Sequence, residues 1–474
     1  MTITRRNFLS ASAGIAATPL LAGRVRAATP ARDADVVVIG AGAAGIAAAR
    51  RVLAAGRKVI VLEASSQIGG RCQTDSSTFE VPFDRGARWV HNPETNPMIR
   101  LARTAGLELM PAPQGEKIRI GRRNARPGET EEFLAALVRA NRAIDDAARR
   151  SDVSCASVLP KELGDWAGTA EFVLGASFTG KDLKEVSVVD KARAQDRDNA
   201  IACRQGLGTL IAKLGAQLPV ALSTPANRIS YSNRDVEVNT PSGKILARAA
   251  IITVSTNVLA AGKLKFDSEL PRRIGDAVAK LSLGSYDRIA LQMSGNPLGL
   301  ARDDVLIEQS TSTRTALLYA NVGGSSLCTI DVAGSFGRDL SAEGEQAMIA
   351  FATEWLKKLF GSDAVAGIKK SSATRWNASP HILGAMSVAA PGGQAARRAL
   401  IDPVGCMYFA GEATHDTLWG TVDGAWESGE RAAEAALRRI GALPAAPAAA
   451  APPPQKQRRR ARPAQSAQPR GLFD

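Results

Sequence analysis

Asp35-Val36-Val37-Val38-Ile39-Gly40-Ala41-Gly42-Ala43-Ala44-Gly45 is the stretch on which the fold turns. Four β-branched residues in a row, Val36 to Ile39, stopped by glycine, predict a strand buried on both faces. Ile46 to Ala55 is alanine-rich with good helix formers and ends at Gly56, a natural residue for a helix C-terminus. Lys58 to Leu62 predicts a second apolar strand, closed by Glu63.

Each glycine of the turn has a task. Gly40 permits the tight turn, Gly42 lets the backbone approach a pyrophosphate, and Gly45 lets helix and strand pack closely. The helix start at Ala43 and Ala44 points N–H groups and a partial positive charge at the phosphates. Glu63 is placed to accept hydrogen bonds from a ribose 2′-hydroxyl, and its charge would repel a 2′-phosphate. A lone Gly-x-Gly-x-x-Gly arises by chance in a chain this rich in Gly and Ala. Strand, turn, helix, strand and acid in this order point to dinucleotide binding.

Further motifs separate one dinucleotide from another. Glu63-Ala64, Gly69-Gly70-Arg71 and Asp84-Arg85-Gly86-Ala87-Arg88-Trp89-Val90-His91 resemble the flavin-containing amine oxidase family, which includes monoamine and polyamine oxidases. Tyr408-Phe409-Ala410-Gly411-Glu412-Ala413-Thr414 and Trp419-Gly420-Thr421-Val422-Asp423-Gly424-Ala425 extend the resemblance to the far end, so that it spans roughly Ala34 to Ile440. It implies an α/β fold: a Rossmann-like FAD-binding domain carrying an inserted α+β substrate-binding domain. In domain terms, residues 33–84, 201–279 and 395–440 form the FAD-binding part, and 85–200 and 280–394 the substrate-binding part. Between His91 and about Ala200 the pattern is helical, over Asn96 to Gly106 and Glu129 to Arg150, with no clear strand signal.

The same resemblance assigns cofactor contacts. Gly70 and Arg71 lie along the pyrophosphate and ribityl chain, and Gly86, Ala87, Arg88 and Trp89 belong to the block beside the flavin. Ala226 holds the adenine through its backbone, and Gly411 delivers Glu412 to the ribityl chain. Thr421 and Val422 open a helix aimed at the flavin's pyrimidine edge, where it would stabilise the charge of the reduced state by about 0.3 to 2 kcal/mol. Ala385 stands where the mitochondrial monoamine oxidases have a covalent cysteine, so FAD is expected to be held non-covalently.

Departures from the family fall at the substrate side. In Leu283-Gly284-Ser285-Tyr286-Asp287-Arg288 the family's lysine, bonded through a water to flavin N5, is replaced by Arg288. Arginine stays protonated in any protein site, so a base role is lost and a fixed charge near the flavin remains. An arginine pointing to solvent from a strand is the alternative. Met386 stands where a tyrosine usually forms one wall of an aromatic cage, which weakens cation–π attraction on that side. Thr421 in place of tyrosine resembles the polyamine-oxidase branch. Trp376 and Trp419 are candidate cavity walls, Trp376 equally a core residue. His91 and His415 sit in family blocks, and His381 reads as structural.

The rest of the chain sets the context. Thr4-Arg5-Arg6-Asn7-Phe8-Leu9 resembles the twin-arginine export signal, Phe8 to Leu21 is too short and broken to span a bilayer, and Val25-Arg26-Ala27 suits cleavage before Ala28. Residues 1–27 therefore read as a signal peptide handled by the twin-arginine machinery, and the protein as periplasmic or secreted; no other segment looks transmembrane. Five scattered cysteines without Cys-x-x-Cys spacing and only three histidines argue against a metal site. From residue 441 to 474 an Ala/Pro-rich, then basic, tail is expected to be disordered. It carries much of the formal +14 and reads as a solvated appendage, not as a nucleic-acid contact.

What the resemblance implies is an FAD-dependent amine oxidase. A hydride passes from the carbon beside a neutral amine to flavin N5, the imine hydrolyses to an aldehyde or ketone, and molecular oxygen or another acceptor reoxidises the flavin, oxygen giving hydrogen peroxide. The small-molecule amine is not specified. An L-amino-acid oxidase is one alternative, with Arg88 or Arg288 for the substrate carboxylate. A desaturase-like flavoprotein, or a non-catalytic flavin-binding protein working through the basic tail, are the others.

Overall fold

The computed structural model describes residues 32–113, 116–197 and 199–444. The expectations for the signal peptide at 1–27, and for the tail beyond 444, lie outside the described residues.

Ala34–Ile39 lies in the middle of an eight-stranded sheet, parallel to Val59–Leu62 on one side and to the second half of Gly243–Ile252 on the other. Val36 pairs with Val59 and with Ala249. Val220–Ala221 and Met407–Phe409 extend this parallel part. The first half of Gly243–Ile252 instead pairs antiparallel with Val236–Thr240, which continues into Arg228–Tyr231. The apolar run from Val36 to Ile39 needs both faces covered, and both are. Val36 and Val38 pack under the helices Ala43–Ala54 and Val422–Arg439, while Val37 and Ile39 pack against the side of Arg272–Lys280. Each of the four is at most 3% exposed, worth about 1.5 to 3 kcal/mol of apolar burial per side chain.

A second, seven-stranded sheet runs in the order Ile368–Ala373, Tyr286–Met293, Leu327–Ala333, Leu317–Tyr319, Val305–Glu308, Glu116–Ile120, Arg123–Asn124. It is antiparallel except where Val305–Glu308 meets Glu116–Ile120. Gly334–Glu343 and Glu345–Phe360 cover it with an apolar layer that includes Phe336, Trp355 and Leu356. The two sheets and the helices between them enclose the cavity described below.

The stretch from His91 to about Ala200 corrects the helical reading. Its helices are there, Pro97–Thr104 capped by Asn96 and Pro127–Ala148. Strands are there too. Glu116–Ile120 joins the seven-stranded sheet, and Trp89–His91 and Leu109–Pro111 flank Ala200–Cys203. These strands are short and their partners are distant in sequence, so tertiary pairing rather than local pattern makes them. A π-helical turn, Phe172–Ser177, lies in the same stretch. All five cysteines are buried free thiols. Among the described residues, no helix is long and apolar enough to cross a membrane.

Candidate functional site

A cavity of about 680 Å³ runs from the glycine turn to the seven-stranded sheet. At its first end the wall is backbone. Gly40 has φ +104°, open to glycine and strained for other residues, and a Cβ there would sit 2.5 Å from Thr253 Oγ1. A Cβ on Gly45 would sit 1.9 Å from the Gly40 carbonyl oxygen, so Gly45 packs helix on strand behind the cavity and does not line it. Gly42 differs. The nearest protein atoms to a Cβ built on it are 3.9 Å away, and the space it would fill belongs to the cavity. Gly42 is also the N-cap of its helix and no side chain caps that end. Ala43 and Ala44 follow it on the wall.

Glu63 is 7% exposed and accepts from Ala41 N–H and Ser65 N–H at 2.7 Å each, which fixes the carboxylate at the cavity edge. Ala64 and Ala226 line the wall beside it. An uncapped helix N-terminus, a glycine cradle and an acid held next to it fit the pyrophosphate and ribose of a dinucleotide.

Farther in, Glu412 is the hub. It accepts from Arg71 Nη1 at 2.8 Å, Ser387 Oγ at 2.6 Å, Ser387 N–H at 3.2 Å and Gly420 N–H at 2.8 Å. Burial pushes its pKa up, but Arg71 and these donors outweigh it and hold the carboxyl below its usual range. Arg71 also donates to the Ala385 carbonyl. Gly70, Gly86, Ala87 and Gly411 complete this wall, and a Cβ on Gly411 would meet nothing within 4 Å. Thr421 caps the helix Val422–Arg439, its Oγ1 accepting from Gly424 N–H at 3.1 Å and donating to the Leu418 carbonyl at 2.7 Å. Val422 lines the cavity after it. The helix start thus lies on the cavity wall.

Trp376 lines the cavity, with Nε1 donating to the Arg85 carbonyl at 3.2 Å and its backbone N–H donating to Asp287 at 2.8 Å. Met386 lines it as well, next to Gly420. Trp419 does not. It is 0% exposed, edge-on to Phe178 at 6.1 Å, behind the wall that Gly420 and Thr421 form. Its place next to a glycine turn could not tell which way the ring faces.

Arg288 settles between the two readings left open for it. It does not point to solvent: it is 5% exposed, and Nε and Nη2 donate to the two oxygens of Asp331 at 2.9 and 3.3 Å. Nη1 donates to the Asp84 and Gly86 carbonyls. Burial works against the charge, but Asp331 more than offsets it and raises the Arg288 pKa. Asp331, 1% exposed, also receives Arg88 Nη2 at 2.7 Å and the Tyr286 hydroxyl at 2.8 Å. The Arg88 guanidinium lies over Tyr319 at 3.7 Å and Trp89 at 4.6 Å. Asp331, Tyr286, Tyr319, Phe178 and Arg197 are the residues that sequence reasoning missed here. Only Asp331 carried a signal, an acid inside an apolar strand.

Of the histidines, His91 and His381 both line the cavity, and His91 meets the Arg197 carbonyl through Nδ1 at 3.1 Å. Burial, with Arg197 adding to it, lowers its pKa to about 4, so it is neutral near pH 7. His415 accepts from Leu418 N–H at 2.9 Å and pairs with Glu427 at 3.2 Å, a structural role.

The comparisons with known proteins agree with this geometry. The family described as flavin containing amine oxidoreductase matches residues 43–437. Lysine-specific histone demethylase 2 of Homo sapiens is 28% identical over 451 residues, covering 84% of this chain and 53% of that protein. Polyamine oxidase 4 of Oryza sativa subsp. japonica is 27% identical over 445 residues, covering 86% of this chain and 89% of that one. The chain therefore spans about half the length of the demethylase and most of the polyamine oxidase. Among solved structures, cyclohexylamine oxidase from Brevibacterium oxydans IH-35A superposes with a TM-score of 0.73 at 22% identity, covering 86% of this chain and all of that one. Putrescine oxidase bound to putrescine gives 0.73 at 20% identity, covering 85% and 98%. With the family match over most of its length and a cavity shaped for a dinucleotide, the chain belongs to the flavin-containing amine oxidoreductases and is an FAD-dependent oxidoreductase acting on CH–NH groups.

Proposed function

We propose that the protein oxidises a primary or secondary amine, bound between the Arg88/Arg288/Asp331 cluster and Met386, at the carbon attached to nitrogen. The observation that carries this reading is that one cavity holds a cradle fit for FAD, Gly42 to Glu412, and runs on into an end lined by side chains. When bound, FAD supplies the hydride acceptor and passes two electrons onward, to molecular oxygen with release of hydrogen peroxide. Water then adds to the imine and gives a carbonyl compound and the released amine or ammonia.

The protein's own residues orient and exclude. Gly86 and Trp376 hold the wall beside the flavin position, and Met386 and Gly420 close the other side. Arg288 is locked by four hydrogen bonds and is no proton acceptor, and His91, with its pKa lowered to about 4, is too weak a base to take the proton of an ammonium, so the amine enters deprotonated. No covalent tether to Ala385 is possible, and Arg71 with Glu412 secures the cofactor instead. Export in the folded state through the twin-arginine pathway to the periplasm or medium is part of the same proposal and rests on the Arg5-Arg6 motif, since a chain exported folded can load FAD first.

The test is spectroscopic. The purified protein is expected to show an oxidised-flavin spectrum that acid precipitation releases into the supernatant. At least one amine should bleach it anaerobically, and air should restore it with one equivalent of peroxide. A flavin that no amine or amino acid bleaches would overturn the catalytic reading.

A further inference from the structure

The inner end of the cavity holds three arginines, Arg88, Arg197 and Arg288, and the lining carboxylate toward that end, Glu412, is paired with Arg71. Arg88 and Arg288 share Asp331 and leave one net positive charge. Arg197 stands apart. Nη2 donates to the Trp419 carbonyl, and among the described residues no carboxylate lies within ion-pair distance of its guanidinium. Among those residues, Nε and Nη1 meet no acceptor either. Burial lowers its pKa to about 10, which still leaves it charged near neutral pH. Asp423 and Glu412 act on it from beyond ion-pair distance and offset part of the burial cost, but among the described residues its remaining N–H groups meet no acceptor, so the cavity keeps room here for an anion.

The aromatic rings give an independent reading. An oxidase for cationic amines would turn bare ring faces to the substrate. Five aromatic side chains line this cavity, Trp89, Phe178, Tyr286, Tyr319 and Trp376. Three of them already carry the protein's own cations. Arg88 lies over Trp89 and Tyr319, and Phe178 has Lys191 Nζ at 4.4 Å and Arg197 at 4.6 Å from its centroid. Tyr286 turns its hydroxyl to Asp331. Three of the five rings that would stabilise an ammonium thus already face the protein's own cations, and the guanidinium charge around them disfavours another.

We infer that the substrate carries a carboxylate on the same molecule as its amine, and that Arg197 is the residue that binds it. This rests on the reading of the cavity as an amine-oxidising site. Nη2 keeps a second N–H beside that of Nε or of Nη1, neither of which meets an acceptor among the described residues, and such an edge matches a carboxylate bidentately, which fixes one end of the substrate and turns its amine-bearing carbon inward. The net charge of the Arg88/Arg288/Asp331 group, with Arg197 beside it, also favours the neutral form of the amine. Di- and polycations such as putrescine and spermidine are excluded by the same charges.

Two measurements on the flavin-loaded protein test this. In the first, calorimetry compares benzoate with benzamide, which differ in charge and little in shape. Benzoate should bind about tenfold more tightly or better, Arg197→Gln should erase the difference at unchanged flavin content, and Arg197→Lys should restore part of it. In the second, anaerobic bleaching compares compounds that share a side chain: L-phenylalanine with phenethylamine, L-lysine with cadaverine, 4-aminobutyrate with butylamine. The acid of at least one pair should react about tenfold faster than its partner, and which pair distinguishes an α-amino acid from an ω-amino acid. Amines reacting faster throughout, or benzoate binding no better than benzamide, overturn the inference and leave amine oxidation standing. A benzoate preference lost in Arg197→Gln, with no compound bleaching the flavin, upholds the anion site and sinks the oxidase reading. An Arg197→Gln protein that loses flavin while keeping the benzoate preference assigns Arg197 to the cofactor. If Arg197→Gln does not fold, the unmodified protein and Arg197→Lys decide.

Discussion

At the Glu63 end of the cavity the protein meets its ligand with backbone; at the Arg88 end it does so with side chains. The first end is made by the absence of Cβ atoms at Gly40 and Gly42, by one helix N-terminus and by a carboxylate held on two N–H groups. The second is made by guanidinium groups, aromatic rings and one buried aspartate gathered from six segments. The two ends should therefore fail differently. Where backbone shape does the work, adding an atom is harmful; where charges hold one another, removing one is.

The largest effect is expected at Asp331. Asp331→Ala leaves Arg88 and Arg288 buried beside each other without a counter-ion, and breaking such a cluster costs about 3 to 5 kcal/mol. Denaturant unfolding should show a midpoint lowered accordingly, with the slope unchanged. A loss below 1 kcal/mol would mean that water reaches the cluster and that the inner end is not closed.

Asp287 offers a test through pH. Burial pushes its carboxyl up to about 6, against the hydrogen bonds from Trp376 N–H and Thr374 Oγ1. A carboxyl with a folded pKa above its unfolded value favours the folded state only while protonated. That contribution is present below pH 4 and is lost as pH rises through 6, by up to about 3 kcal/mol. Asp287→Asn removes the titration, so the variant should gain on the natural protein between pH 5 and pH 8. An equal difference at both pH values would exclude the shift.

At the backbone end a pair of substitutions separates packing from binding. Gly45→Ala forces a Cβ to within 1.9 Å of the Gly40 carbonyl oxygen and should cost about 1 to 3 kcal/mol together with the flavin. Gly42→Ala adds its methyl to cavity space instead. It should leave the flavin-free protein about as stable as before, within roughly 0.5 kcal/mol, yet weaken FAD binding, as flavin release on dilution would show. Equal stability losses in both would merge the two roles.

This contrast also explains how much was legible in the sequence. Gly40, Gly42, Gly45 and Glu63 report a local backbone requirement within one strand–turn–helix, and the structure places them accordingly. Arg71 and Glu412 came from motifs, although they meet 341 residues apart. The inner end has no such local record. Arg88 finds Asp331 across 243 residues of sequence and Arg288 finds it across 43. Neither pairing leaves a periodicity or spacing to read. Phe178 and Arg197 sit in the stretch whose strands were also unread, because its segments are short and paired at long range. Trp419 shows the limit of a motif: it fixes where a residue stands in the chain, while the ring's direction is decided by Phe178 and the arginines around it.

Thr421 lies where the two ends meet, and the smallest effect is expected there. Read from sequence it belongs both to the substrate side and to the helix start at the flavin, and its hydroxyl accepts from Gly424 N–H and donates its proton to the Leu418 carbonyl. Its work is then to start the helix whose N-terminus faces the flavin position. Thr421→Ala should lower stability by about 1 kcal/mol, the usual cost of losing an N-cap, and Thr421→Ser should recover most of it. If capping is the whole role, the rate of flavin reduction by a good substrate should change less than about tenfold in Thr421→Ala, because the helix dipole contributes only about 0.3 to 2 kcal/mol and persists when the cap is gone. A rate loss of about a hundredfold or more that Thr421→Ser reverses would show instead that the hydroxyl leaves its cap to touch substrate, and would move Thr421 from the backbone-built end of the cavity to the side-chain-built one.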